Sequence, residues 1–135
     1  MIEQASAFDE AALIALWDAC GLIRPWNPPA HDIARALAGP TSTILVARAA
    51  EAVIGSVMTG HDGHRGWVYY LAVAPEARRT GLGRALMAAA EAWLRERGAP
   101  KLQLMVRNGN EEALAFYRAL GFEDQLVSVL GRFLG

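Results

Sequence analysis

The sequence predicts an α/β domain built on a mixed sheet, and three observations carry that prediction. Two apolar runs, residues 43–48 and 53–58, are separated only by a short turn at Ala50-Glu51, the pattern of an antiparallel hairpin. The run Trp67-Val-Tyr-Tyr-Leu-Ala-Val73 is bulky and apolar on both faces, as a strand inside a sheet must be. A glycine turn, an amphipathic helix and another apolar run follow it, which is the spacing of a crossover between parallel strands.

Each element has a local reason. Residues 2–4 read as a short first strand. Asp9 and Glu10 open a helix with Leu13, Leu16 and Trp17 on one face, ending near Gly21. Residues 24–29 carry Pro25, Pro28 and Pro29 and predict a rigid loop. A short helix over 32–37 is stopped by Gly39-Pro40. The hairpin strands come next, then a polar loop over 60–66 and the strand over 67–73. The helix over 81–96 places Leu82, Leu86, Ala89 and Trp93 at helical spacing, with Gly98 just past its end. Residues 102–106 read as a strand. Asn110 is a natural N-cap, with Glu111 and Glu112 in the first turn of a helix that carries Ala113, Leu114, Tyr117 and Leu120 as far as Gly121. Residues 126–130 read as a last strand.

With 135 residues, no repeats and no linker, the chain is expected to form a single domain over 1–135. A formal net charge of −1 gives no field for nucleic acid or an anionic membrane. Cys20 is the only cysteine, which excludes an internal disulfide and suits a reducing compartment. No basic-then-apolar leader is visible at the start, and no apolar run approaches the ~20 residues that span a bilayer. A cytoplasmic location is expected.

The segment with chemical content is Arg78-Arg-Thr-Gly-Leu-Gly-Arg84, between the strand and the helix. Helix-start amides freed from side-chain bulk by glycine make a seat for phosphate. The dinucleotide fingerprint G-x-G-x-x-G does not fit, because position 86 is Leu, and no Gly-Lys-Ser/Thr follows as a P-loop would need. The plain alternative is a tight turn whose glycines only relieve strain. Arg78, Arg79 and Arg84 favour an anion.

Leu71-Ala-Val73, the Arg78-to-Gly83 turn, Asn110, and Tyr117 followed by Leu120-Gly-Phe122 together resemble the GNAT superfamily of acetyl-CoA-dependent N-acetyltransferases, across nearly the whole chain. Arg24-Pro-Trp-Asn-Pro28, Asp62-Gly-His-Arg-Gly66 and Tyr69-Tyr70-Leu71 also look like the small bacterial YpeA-type acetyltransferases. The resemblance implies a GNAT-like fold, a central mixed β-sheet flanked by helices, and acetyl-CoA as cosubstrate. It implies that backbone groups of Leu71, Ala72 and Val73 pair with the pantetheine arm like an added strand. Amides of Arg79, Thr80, Gly81, Leu82, Gly83 and Arg84, beside Arg78, would hold the pyrophosphate. Asn110 would contact the cofactor arm, and Tyr117 would sit near the sulfur.

Acetyl transfer to an amine needs a neutral nucleophile, a proton acceptor for it, stabilisation of the thioester oxygen, and a proton or hydrogen bond for the leaving thiolate. Tyr117 is the candidate partner of the thiolate; spacing alone also fits a core residue of an amphipathic helix. In GNAT members that acetylate peptide α-amines, a glutamate can lie five residues before the asparagine. Met105 stands there in this chain, which speaks against a ribosomal-protein-type N-terminal acetyltransferase. Asp62, His64 and Tyr69, or a water held by backbone, remain as proton acceptors. The run around His61, Asp62 and His64 also reads as a solvated hairpin loop, and it has no recognised metal-ligand spacing, so no metal is expected.

Trp26, pinned among prolines, walls an acceptor pocket or caps the core. Asp32 and Asp62 suit a cationic amine. Tyr69 and Tyr70 must point to opposite faces of their strand. The expected function is transfer of an acetyl group to a primary amine, on a small molecule or a protein, by direct attack on the thioester. Two other readings stand beside it: an acyl-CoA-binding sensor or interaction module without turnover, and a phosphate-ligand domain unrelated to coenzyme A. The apolar residues 126–134 fit an internal strand or the exchanged edge of a homodimer.

Overall fold

The expected hairpin is the middle of the sheet in the computed structural model, which describes residues 1–135. Strands β2 (Ser42–Ala49) and β3 (Ala52–His61) pair antiparallel from Ser42 opposite Gly60 to Ala49 opposite Ala52, through a turn in which Ala50 takes a φ of 55°. Strand β1 (Ile2–Gln4) adds antiparallel to β2, and β4 (Gly66–Val73) adds antiparallel to β3. Strand β5 (Leu102–Gln103) pairs parallel with β4. The result is a mixed sheet in the order β1-β2-β3-β4-β5.

Helices cover both faces of this sheet. Helices α1 (Glu10–Ala19) and α2 (Pro29–Ala38) bring Leu13, Trp17 and Ile33 against Ile44 and Val46 of β2. Strand alternation turns Gly55 and Val57 to the opposite face. There α3 (Leu82–Glu96) buries Leu86, Met87, Ala90 and Leu94. Large apolar side chains buried in this way each contribute on the order of 1.5–3 kcal/mol before chain entropy is counted. Gly66 is required for the contact, since a Cβ there would lie 2.7 Å from Leu94 Cδ1.

Local chemistry explains the helix starts. A 3₁₀ turn at Ala7–Asp9 precedes α1 and is closed by a capping box: Ser6 Oγ accepts from the Phe8 N–H, and Asp9 Oδ2 accepts from the Ser6 N–H at 2.9 Å. Pro29 occupies the first position of α2, where its missing N–H has no intrahelical role, so the helix begins before the expected residue 32. Arg24 and Asn27 form a single antiparallel bridge within the preceding loop.

These residues, 1–105, form one compact unit, and residues 106–135 form a second. The second unit holds α4 (Glu111–Ala119), capped by Asn110, whose side chain accepts from the Ala113 N–H. Gly121, at φ 95°, ends it: Phe122 N–H donates to the Tyr117 carbonyl and Gly121 N–H to the Arg118 carbonyl, both at 3.0 Å.

Three expectations need correction. The polar loop is only residues 62–65, because β3 runs on through His61 and β4 starts at Gly66. Strand β5 stops at Gln103 instead of reaching 106. Residues 126–130 form no strand. The Leu126 N–H donates to Asp124 Oδ1 at 2.8 Å and Leu126 takes a φ of 56°, a turn that interrupts extended backbone. Leu126 and Leu130 are consequently exposed. No helix is long and apolar enough to cross a membrane.

Candidate active site

The site is built from a strand edge that has lost its neighbour. Only Gly66 and Trp67 of β4 pair with β5, so from Val68 onward one edge of β4 has no strand partner. Along the same stretch β4 carries a bulge: Met58 lies opposite Tyr69 and Ser56 opposite Ala72, which leaves one residue too many on β4. Tyr70 absorbs it with a φ of 53°, a left-handed conformation that costs a bulky residue on the order of 1–3 kcal/mol. Beyond the bulge, the Ala74 N–H donates to the Ile54 carbonyl at 2.8 Å. Alternation in an antiparallel ladder then directs the backbone groups of Val73 towards the open edge. Its carbonyl is taken by Cys20 Sγ at 3.4 Å and Arg78 Nε at 3.2 Å, which leaves the N–H as the group for a ligand.

A 3₁₀ turn at Pro75–Ala77 links this edge to α3. Arg79, at φ 65°, and Gly81, at φ 83°, are both left-handed and bracket Thr80, whose hydroxyl donates to the Ala77 carbonyl at 2.6 Å. Gly81 is the N-cap of α3 and has no side chain to satisfy the first-turn amides of Leu82, Gly83 and Arg84. No acidic residue lies in that first turn. A Cβ on Gly81 would meet nothing within 4 Å, so the space before the helix is open. Open amides, the positive end of the helix dipole and the exposed Arg78, Arg79 and Arg84 together suit a phosphate or pyrophosphate. Leu71, Ala72, Val73 and the 78–84 turn are thus continuous along one chain path.

Asn110 and Tyr117 both belong to the second unit. Asn110 Oδ1 is committed to the cap at 3.1 Å from the Ala113 nitrogen, and its Nδ2 remains a donor. The Tyr117 ring meets Phe116 and Phe122 edge-on, with centroids 5.1 and 5.8 Å away. Burial pushes its phenol up to about 12, so it is a neutral O–H donor throughout the physiological range.

Among the proton-acceptor and substrate candidates, Asp62 is committed within its own loop, and His64, Tyr69 and Trp26 are exposed. Asp62 Oδ1 accepts from the His64 and Arg65 N–H groups at 2.9 and 2.8 Å, and Oδ2 from Trp67 Nε1 at 3.3 Å. These bonds, the Arg65 amide first, hold its carboxyl down to about 2, which suits a loop-forming carboxylate and makes it a weak base. His64 is exposed beside Arg65. Tyr69 is 44% exposed, and its phenol is shifted upward by burial first and by the Asp62 charge second. Trp26 is 58% exposed, so it does not cap the core.

A cluster forms around Tyr70, and it takes up Asp32, the carboxylate expected to suit a cationic amine. The Tyr70 ring stacks on Trp17, and its hydroxyl donates to Asp32 Oδ2 at 2.7 Å. Asp32 also accepts from Asn27 Nδ2 at 2.7 Å and from Arg35 at 2.6 Å. Burial first, and then Asp32, push the Tyr70 phenol up to about 12.

Comparison with known proteins identifies the family and the fold. The profile of the acetyltransferase (GNAT) family matches residues 10–122. An acetyltransferase of Yersinia enterocolitica is 45% identical over 129 residues, covering 96% of this chain and 90% of the relative. An acetyltransferase of Sodalis glossinidius is 45% identical over 125 residues, covering 92% and 88%. Among solved structures, the aminoglycoside acetyltransferase AAC(6')-Iy, in complex with the bisubstrate analogue CoA-S-monomethyl-acetylneamine, superposes with a TM-score of 0.83. At 18% identity, over 100% of this chain and 98% of that one, it shares the fold. The family profile covers most of the chain and relatives 45% identical match it over nearly its whole length, so the chain belongs to the acetyltransferase (GNAT) family.

Proposed function

We propose that the protein transfers an acetyl group from acetyl-CoA to a primary amine. The observation that carries this reading is the continuity of the unpaired β4 edge with the open amides of α3. An extended amide-bearing arm ending in a pyrophosphate fits both at once. The Val73 N–H and the backbone of Leu71 are the groups we assign to the arm, with Ala72 between them paired to Ser56. Arg79 to Arg84 offer amides to the phosphates, with Arg78 and Arg79 adding charge. Asn110 Nδ2 is the donor we assign to the arm in the second unit. The family match runs from 10 to 122 across the boundary between the units, which supports one catalytic domain over 1–135.

In the reaction, the amine nitrogen forms a bond to the thioester carbon, the carbon–sulfur bond breaks, and the amine loses one proton while the sulfur gains one. A backbone N–H of the β4 edge stabilises the oxygen as it becomes anionic, worth roughly 3 kcal/mol for one well-placed donor. Tyr117 is the residue we assign to the leaving sulfur. With its phenol at about 12 and an ordinary thiol near ~8.5, complete proton transfer is uphill by roughly 5 kcal/mol. Tyr117 therefore acts as a hydrogen-bond donor to the thiolate, and the proton that neutralises the sulfur derives from the amine. A water on the backbone, rather than Asp62, relays that proton from the amine to the sulfur.

The acceptor side is assigned to Trp26, Tyr69 and His64 on their exposure, which suits contact with an incoming amine. A homodimer is the assembly that would cover the exposed Leu126, Leu130 and Phe133, and sedimentation equilibrium tests it. The single cysteine and the acetyl-CoA requirement support a cytoplasmic location. The direct test of the function is thiol release from acetyl-CoA against a panel of primary amines. Release with one amine class supports the transfer and names the acceptor. Tight acetyl-CoA binding without release from any amine would replace it with a non-catalytic acyl-CoA-binding module.

A further inference from the structure

The left-handed residue at the bulge is held at its ring, its hydroxyl and its carbonyl. The Tyr70 ring lies 3.8 Å from the Trp17 ring at an interplanar angle of 6°. Its hydroxyl donates to Asp32 Oδ2 at 2.7 Å and accepts from Asn27 Nδ2 at 2.9 Å. Its carbonyl accepts from Ser56 Oγ at 3.1 Å, and Ser56 Oγ in turn accepts from Trp17 Nε1 at 2.9 Å. Helix α1, the loop before α2, α2 itself and β3 each contribute one contact. Ser56 and Trp17 are fully buried, so neither bond is exchanged for water.

This concentration of contacts is more than the sheet requires. A β4 one residue shorter would pair in regular register with β3 and would need no left-handed tyrosine. Strained backbone persists only where its surroundings over-determine it. The residue that follows Tyr70 is Leu71, the first of the three assigned to the acetyl-CoA edge. A hydrogen-bond donor aimed at a developing oxyanion must be placed to a fraction of an ångström, and the bulge sets where the next amides point.

We propose that Trp17, Ser56, Asn27 and Asp32 form a clamp that holds Tyr70 in its left-handed conformation, and that the clamp thereby aims the amides of Leu71 and Val73 at the thioester. Tyr70 is a positioning residue and touches no substrate in this scheme. The inference rests on the reading that this edge takes acetyl-CoA.

The test uses the full chain and the variants Tyr70→Phe, Asp32→Ala, Asp32→Asn and Ser56→Ala. Thiol release gives kcat and KM, calorimetry gives the affinity for free CoA, and NMR gives the amide shifts of Leu71, Ala72 and Val73. Tyr70→Phe keeps the ring stack and removes only the hydroxyl. It and Asp32→Ala are each expected to lower kcat by about tenfold to a hundredfold, with CoA affinity within about twofold. Asp32→Asn, whose amide oxygen still accepts from Tyr70, is expected to recover most of the loss. The double variant Tyr70→Phe with Asp32→Ala should fall no further than the worse single one. A folded Tyr70→Phe with unchanged kcat and unchanged Leu71–Val73 amide shifts overturns the clamp, as do single losses that multiply in the double variant. If Asp32→Ala does not fold, Tyr70→Phe and Ser56→Ala decide the same point. If the wild-type protein releases no thiol with any amine, the functional reading fails, and the amide shifts still decide whether the clamp sets this edge.

Discussion

Gly55 of β3 lies directly beneath Leu86 of α3: a Cβ on Gly55 would stand 2.9 Å from Leu86 Cδ1 and 3.1 Å from Leu82 Cδ2. Leu86 is fully buried and has little room to withdraw. This close approach seats the N-terminal half of α3 on the sheet, and so fixes the open amides of its first turn relative to β4. Gly55→Val is expected to destabilise the protein by about 1–3 kcal/mol through overpacking. The denaturant midpoint should fall with an unchanged m-value. Gly39→Ala is the control: a Cβ there meets nothing within 4 Å, and its effect should stay within about 0.5 kcal/mol.

Asp9 and Arg48 give the fold a defined acid limb. Asp9 accepts from Arg48 Nη1 at 3.0 Å and Nη2 at 2.9 Å, and Arg48 also donates to Glu3. The Arg48 bond, the largest cause, holds the Asp9 carboxyl below its ordinary 3.8. A depressed folded value means that the stabilisation is complete above the unfolded value and is lost as pH falls through the folded one. Stability attributable to this pair should therefore be flat above about pH 5 and decline below about pH 4. In Asp9→Asn that part of the decline should disappear. An Asp9→Asn protein with the wild-type pH dependence below 4 would contradict the assignment.

Tyr117→Phe separates chemistry from packing. The ring contacts with Phe116 and Phe122 survive the change, and only the hydroxyl is lost. A hydrogen bond to a charged thiolate is worth about 1.5–3 kcal/mol. Turnover should therefore fall by roughly tenfold to a hundredfold, while acetyl-CoA affinity changes little. Unchanged turnover would make Tyr117 a packing residue of α4.

Much of this was legible in the residues. The hairpin, the two-faced strand at 67–73 and the amphipathic helix after Gly81 each have a periodicity or a turn that admits one structure, and all three formed. The left-handed turn before α3 was legible because it is written in glycine positions. The Tyr70 clamp was not, because its members at 17, 27, 32, 56 and 70 meet only through tertiary packing. Alternation predicted opposed side chains at 69 and 70, and the bulge that reshapes this stretch leaves no mark in apolar spacing. The expected strand at 126–130 shows the opposite failure. Its apolar run is real, yet a strand also needs an edge to pair with, and the Asp124 side chain turns the backbone first.

The measurement closest to the central claim is calorimetry of acetyl-CoA with the wild-type protein, Gly81→Glu and Gly81→Asn. Gly81 holds a φ of 83° over open space, so Glu adds a carboxylate at the proposed phosphate seat, while Asn tolerates the left-handed backbone without adding charge. Two lost charge-assisted contacts amount to a weakening of about a hundredfold or more. The prediction is binding by the wild type, near-normal binding by Gly81→Asn, and at least that loss in Gly81→Glu. Equal affinity in Gly81→Glu and wild type, or no binding by the wild type, would contradict a phosphate seat at the start of α3.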